Sequence, residues 1–204
     1  KYSFPWRKSK DSYCIWISEI MLQQTQVRTV IPYYKKWMKK FPSMMILSKS
    51  NLSEVLKIWE GLGYYKRAEN IHQTSQIVMK KNQGKLPPTY NELINLPGIG
   101  DYTACAILSI AYDKKFAAID GNLKRALTRL FLIKFENQNI KKFKKYGDIL
   151  LSQKNPGYTN QALMDLGREI CKPNNPKCDI CPINQFCKAY LLNVVTKYSV
   201  KKYK

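Results

Sequence analysis

The sequence contains one histidine, His72. That scarcity excludes His-rich metal sites and makes Ser-His-Asp chemistry improbable; His72 itself lies in a polar helical stretch and is expected to be solvated. Acidic side chains are also few, 14 Asp plus Glu against 35 Lys plus Arg, which leaves a formal charge of +21. Such an excess disfavours acid-rich binding roles and favours a polyanionic partner, nucleic acid rather than a membrane surface. A generally lysine-rich proteome accounts for part of it, since Asn and Ile are plentiful too. No apolar run approaches the roughly 18 residues that span a bilayer. No secretory signal is visible, although Lys1 is not an initiating methionine. Alternation of period two is scarce, as are repeats and low-complexity linkers, so the chain reads as all-α.

At 204 residues the chain is long enough for one domain or two small ones with a sizeable core. After the extended Phe4-Pro5-Trp6-Arg7, Asp11 or Ser12 can cap a helix whose apolar face includes Ile15, Ile20 and Met21. Glu19 sits in that helix among Ile17, Ile20, Met21 and Leu22. From this stretch alone an exposed helix-face Glu is the better reading. A partly buried one would have the raised pKa that a general acid needs. Further helices are expected near 27–41, 52–62, 66–81, 123–133, 140–152 and 160–170, with Gly63 and Gly84 closing two of them. Tyr64 and Tyr65 fall on the turn after Gly61-Leu62-Gly63, as ordinary packing or as a wedge between bases. Lys141, Lys142, Lys144 and Lys145 read as a solvated helix face.

Leu96-Pro97-Gly98-Ile99-Gly100 breaks a short helix over Tyr90-Asn91-Glu92-Leu93-Ile94 and starts another running to about Tyr112, with Asp101 or Thr103 as its cap. Such a turn leaves N–H groups at a helix N-terminus where a phosphate can sit. One helix later come Asp120-Gly121-Asn122 and a basic helix with Lys124, Arg125 and Arg129. Four of the six cysteines, Cys171, Cys178, Cys181 and Cys187, lie within 17 residues as C-x6-C-x2-C-x5-C. In a reducing cytosol that density indicates a metal or cluster site; tetrahedral thiolates alone suit Zn²⁺ or [4Fe–4S] equally. Cys14 and Cys105, on apolar helix faces, read as buried inert thiols.

The hairpin followed by Asp120 resembles the helix-hairpin-helix superfamily of DNA glycosylases. Within it, the likeness is greatest to the catalytic domain of the adenine DNA glycosylase (MutY) family. It is carried by Pro5-Trp6-Arg7, Ser18-Glu19-Ile20-Met21-Leu22-Gln23-Gln24-Thr25-Gln26-Val27, Trp59-Glu60-Gly61-Leu62-Gly63-Tyr64-Tyr65, Asp120-Gly121-Asn122 and Asn160-Gln161-Ala162-Leu163-Met164-Asp165-Leu166-Gly167. The cysteine spacing matches the iron–sulfur loop of the endonuclease III and MutY glycosylases, which implies a [4Fe–4S] cluster. The resemblance implies a six-helix barrel domain over 14–115 and an iron–sulfur domain built from 1–13 and 116–190, with the active-site cleft between them. Residues 191–204 are then a basic linker or tail. The family's C-terminal domain, which checks for 8-oxoguanine, is expected to be absent, and discrimination of 8-oxoguanine from guanine weakened.

By the same resemblance the substrate is adenine mispaired with 8-oxoguanine or guanine in double-stranded DNA. Glu19, Asp120, Tyr102 and Asn122 carry catalysis, Tyr102 and Asn122 holding Asp120. Arg7 and Gln161 meet the adenine, Gln23, Gln24 and Tyr64 the opened duplex, and Gly98, Gly100, Lys172 and Lys177 the backbone. Tyr102 stands where endonuclease III-like enzymes have a Schiff-base lysine, so a monofunctional enzyme is implied. Thymine-mismatch enzymes can share that tyrosine. A bifunctional endonuclease III-like enzyme, a thymine-mismatch glycosylase and a non-catalytic DNA-binding iron–sulfur module are the rival readings. The protein is expected to act as a cytoplasmic, nucleoid-associated monomer.

Overall fold

The computed structural model describes residues 4–134 and 139–198. Eleven α-helices occur among the described residues, and no strand. They are α1 (Ser12–Leu22), α2 (Val27–Lys40), α3 (Met44–Lys49), α4 (Leu52–Trp59), α5 (Lys66–Asn82), α6 (Tyr90–Ile94), α7 (Asp101–Ala111), α8 (Gly121–Phe131), α9 (Ile140–Leu150), α10 (Pro156–Glu169) and α11 (Lys188–Leu191). Among the described residues no helix is long and apolar enough to cross a membrane. The chain packs as two compact units, Lys1–Lys114 and Lys115–Lys204.

The first unit is built around α1. Asp11 caps it by accepting from the Cys14 amide. Residues Ile15 to Met21 are buried on every side, not on one amphipathic face, because α2, α5 and α7 all pack on it. A helix apolar all round is a core helix. Trp37 of α2 meets Phe41 and Trp59 edge-on, with centroids 5.1 and 5.6 Å away, and its indole N–H donates to the Tyr13 hydroxyl. Trp6, in the 3-10 turn Pro5–Lys8, is buried edge-on against Tyr34. The lead-in therefore packs on the first unit. His72 is corrected: it is buried, with Nε2 2.9 Å from the Ser50 carbonyl. The unforeseen α3 is capped by Ser43 and packs on α5.

In the second unit α8 packs against α9, α10 and α11. Leu123, Leu127, Ile133 and Phe143 form its core, with Ile119 and Leu163 against them. The segment leading to α8 has no helical or sheet partners of its own, so its polar groups are satisfied by side chains. Fully buried Asn160 accepts from the Ala118 amide at 3.1 Å and donates to the Phe116 carbonyl at 2.8 Å. Asp148 accepts from the Ala117 amide at 2.8 Å. Residues 194–198 are not a linker. Val195–Tyr198 forms a 3-10 turn packed on α8, and Arg129 Nε donates to the Tyr198 carbonyl. The expected tail over 199–204 lies outside the described residues.

Asn160→Ala strips partners from two buried backbone groups and is expected to cost about 2–4 kcal/mol. Urea unfolding, with exposed Asn155→Ala as control, measures it.

Candidate active site and cysteine centre

The hairpin of the first unit is α6, a turn and α7. Gly98 has φ +77°, and a Cβ there would lie 2.9 Å from the Asn70 Cβ, so glycine is required by both conformation and space. Thr74 Oγ1 donates to the Pro97 carbonyl at 2.9 Å and pins the turn. The cap differs from expectation: Gly100 is the N-cap and Asp101 the first helical residue. Asp101 instead accepts from the Tyr90 hydroxyl at 2.7 Å, which ties α6 to α7. Gly98 and Gly100 are exposed, and nothing would crowd a Cβ at Gly100, so the α7 N-terminus is open.

One residue into α7, the Tyr102 hydroxyl donates to Glu19 Oε2 at 2.7 Å. Glu19 is buried, only 6% exposed, in the middle of α1. The exposed reading of Glu19 is thereby corrected. Tyr102 reaches Glu19 because α7 packs along α1. Gln23, the α1 C-cap, donates through Nε2 to Thr103 Oγ1 at 3.3 Å. Arg7 is half-buried, its guanidinium 5.1 Å over the Phe4 ring.

Two expected DNA-contacting residues adopt left-handed backbones unusual for anything but glycine, Gln24 at φ +56° and Tyr64 at φ +51°. Both are exposed, Tyr64 by 64%. Behind them is a residue the sequence reading did not single out. Arg67 donates through NH1 to the carbonyls of Ile20, Met21 and Gln23, and through NH2 to Thr25 Oγ1 and the carbonyls of Leu62 and Gly63. Its guanidinium also lies against the rings of Trp59 and Tyr64. The available signal was its place two residues beyond Tyr65, close behind a glycine-aromatic turn.

In the second unit Asp120 is the N-cap of α8, accepting from the Leu123 amide at 2.6 Å and from Asn122 Nδ2 at 2.8 Å. Burial pushes the Asp120 carboxyl above the usual aspartate range, against the pull of those hydrogen bonds and of Arg125. Arg125 donates to Asn122 Oδ1 at 3.1 Å, which turns the Asn122 amide N–H₂ toward Asp120. The same side chain donates to the carbonyls of Gly167 and Cys171. Gly167 is required here, since a Cβ would lie 2.8 Å from the Asn122 backbone. Gln161, on α10, is half-buried.

Cys171, Cys178, Cys181 and Cys187 line one partly open cavity together with Arg129, Ile170, Asn184, Tyr190 and Val195. Among the described residues no three His, Cys, Asp or Glu side chains form a group that could hold a metal ion. Four sulfurs on one cavity are nevertheless the donor set that a cluster of four irons requires, one thiolate to each iron. Burial, then the neighbouring sulfurs, push the Cys178 thiol up; burial is also the first cause at Cys181. A cation among them would reverse that cost. Arg129, 1% exposed, donates to Cys171 Sγ at 3.4 Å and to the carbonyls of Lys172 and Pro173. Lys172 is half-buried and Lys177 exposed. Cys105 is buried, as expected of an inert thiol; Cys14 is only half-buried, its thiol pushed up by burial.

Residues 17–148 match a family described as HhH-GPD superfamily base excision DNA repair protein. The adenine DNA glycosylase of Buchnera aphidicola subsp. Baizongia pistaciae is 47% identical over 203 residues, covering 99% of this chain and 58% of that protein. The human adenine DNA glycosylase is 38% identical over 201 residues, 93% of this chain and 37% of that protein. The chain thus spans less than two thirds of the length of these relatives. Among solved structures, a thermostable thymine-DNA glycosylase superposes with a TM-score of 0.86 at 31% identity, over 94% of this chain and 89% of that one.

The upward-shifted Asp120 binds its proton more tightly in the folded than in the unfolded chain. Its contribution to stability is therefore greatest at acid pH and declines as pH rises from the ordinary aspartate range through the raised folded value. Asn122→Ala removes a donor that favours the anion, so it should move the Asp120 titration further up and widen that window. A ¹³C-carboxyl NMR titration of both proteins checks the direction.

Proposed function

Because the chain belongs to the HhH-GPD superfamily of base excision DNA repair proteins, we propose that it hydrolyses the N-glycosidic bond of adenine mispaired with 8-oxoguanine or guanine in duplex DNA. The observation that carries the reading is the Tyr102 hydroxyl on the buried Glu19 carboxyl. A carboxyl shielded from water is the environment a general acid needs. At the head of the hairpin helix stands a phenol, which has no amine with which to form a Schiff base.

In this reading the adenine leaves the stack, and Gln24 and Tyr64 enter or pry the gap it leaves. Arg7 and Gln161 contact the base, while Gln23 steadies the opened strand. Glu19 gives a proton to adenine N7, so that the base departs neutral. The sugar develops oxocarbenium character, which ionised Asp120 stabilises or captures covalently, as in retaining glycosidases. Glu19, now a base, takes a proton from the attacking water. Asn122 keeps one Asp120 oxygen occupied; Tyr102 orients Glu19. The exposed amides at Gly98 and Gly100 meet a phosphate, and Lys172 and Lys177 add charge beside the backbone. The net charge of +21 favours such a partner.

We further assign Cys171, Cys178, Cys181 and Cys187 to a [4Fe–4S] cluster, supported by their common cavity. The cluster, when bound, cross-links the loop carrying Lys172 and Lys177. The second unit is then an iron–sulfur domain, and the protein acts as a monomer close to the chromosome.

Duplexes with adenine opposite 8-oxoguanine, adenine opposite guanine, and thymine opposite guanine test the activity. Alkali-labile sites are expected in the first two and no efficient borohydride-trapped adduct in any. Cleavage of the third alone would replace the reading by a thymine-mismatch enzyme. Glu19→Gln should lower base release by about 10³-fold or more while DNA affinity stays within about threefold. Cleavage by the wild type should also fade as pH falls through the raised Asp120 value. The purified protein is expected to absorb broadly in the visible blue, and Cys178→Ser to lose that absorption; a colourless wild type containing zinc would overturn the cluster.

A further inference from the structure

We propose that Arg67 is a positioning residue for base extrusion, one guanidinium fixing both left-handed residues, Gln24 and Tyr64, that meet the opened duplex; this rests on the glycosylase reading above. Each turn has its own reason to move. The carbonyls of Ile20 and Met21 belong to the last turn of α1, where helical acceptors run short of donors and the Gln23 N–H bonds back to Ile20 alone. The carbonyls of Leu62 and Gly63 lie in a turn with positive φ at Gly61 and Gly63. Arg67 satisfies both sets at once, from the first turn of α5. NH1 serves the end of α1 at 2.9, 3.1 and 2.6 Å, and NH2 serves Leu62 and Gly63 at 3.3 and 3.1 Å.

The geometry joins the two exposed side chains to one rigid fork. Gln24 lies between two residues that Arg67 holds, Gln23 by its carbonyl and Thr25 by its hydroxyl at 3.3 Å. Tyr64 directly follows Gly63, and its ring lies 5.4 Å from the guanidinium carbon. Glu19 immediately precedes Ile20, so the same contacts anchor the helix of the proton donor. A lysine keeps the charge but is a point donor and cannot span both turns. An arginine with a general packing role would affect Tyr64 no more than any other residue.

Single-turnover release from an adenine:8-oxoguanine duplex, with 2-aminopurine beside the adenine, reads the chemistry and the extrusion together. Arg67→Lys is expected to slow release about 10- to 100-fold and abolish the fluorescence rise, with affinity for an undamaged duplex within about threefold. Arg67→Lys combined with Tyr64→Ala should lose clearly less than the product of the two single losses, because Arg67 acts in part through Tyr64. Losses that multiply, or a lysine variant within about twofold of wild type, overturn the proposal. If circular dichroism shows that Arg67→Lys does not fold, Thr25→Val cuts one guanidinium–turn bond; a smaller loss, again sub-additive with Tyr64→Ala, supports the role and no loss overturns it. A wild type that releases no adenine overturns the parent reading as well, whereas normal release with an unaffected lysine variant overturns this one alone.

Discussion

Taking a guanidinium out of water is costly unless most of its N–H groups find acceptors, and that constraint recurs in both units, with Arg67 Nε left over. Arg67 makes its bonds to five carbonyls and one hydroxyl. Arg125 and Arg129 follow the same pattern on α8, donating to the carbonyls of Cys171, Lys172 and Pro173 and also to those of Gly167 and Tyr198. Each arginine is a rigid planar fork, so each fixes the spacing of the segments it bridges. A lysine-rich chain thus keeps its few buried arginines for work a flexible ammonium does poorly.

The two carboxylates illustrate different solutions to burial. Glu19 sits in a core helix and receives a tyrosine hydroxyl. Asp120 caps a helix and receives an amide from the backbone and another from Asn122. Even so, burial dominates at Asp120 and leaves it harder to ionise. A buried carboxylate held this way lowers the stability of the fold near neutral pH, because the folded chain holds its proton more tightly than the unfolded one.

Much of this was legible in the residue order. Helix starts showed where a short polar side chain preceded an apolar run, as at Asp11, and the hairpin showed because Pro97 and Gly98 permit little else. What escaped had physical reasons. Helix α3 is one and a half turns long, too short to display a period. His72 looked solvated because its neighbours are polar, yet a carbonyl from a loop 22 residues away receives it. The bond from Tyr102 to Glu19 escaped because only the packing of α7 on α1 brings two residues 83 apart together. The arginine bridges were invisible for a related reason: most of their acceptors are main chain, and main chain has no signature in a sequence.

The hydrogen bonds of Asn160 carry a consequence for synthesis. The segment entering Asp120 is pinned by a side chain 42 residues downstream, and Arg129 waits for a carbonyl 69 residues further along. Helices α1 to α7 can emerge from a ribosome and close their own core first, since domains fold as units during translation. The nascent chain therefore buries Glu19 before the segment that carries Asp120 is pinned in place.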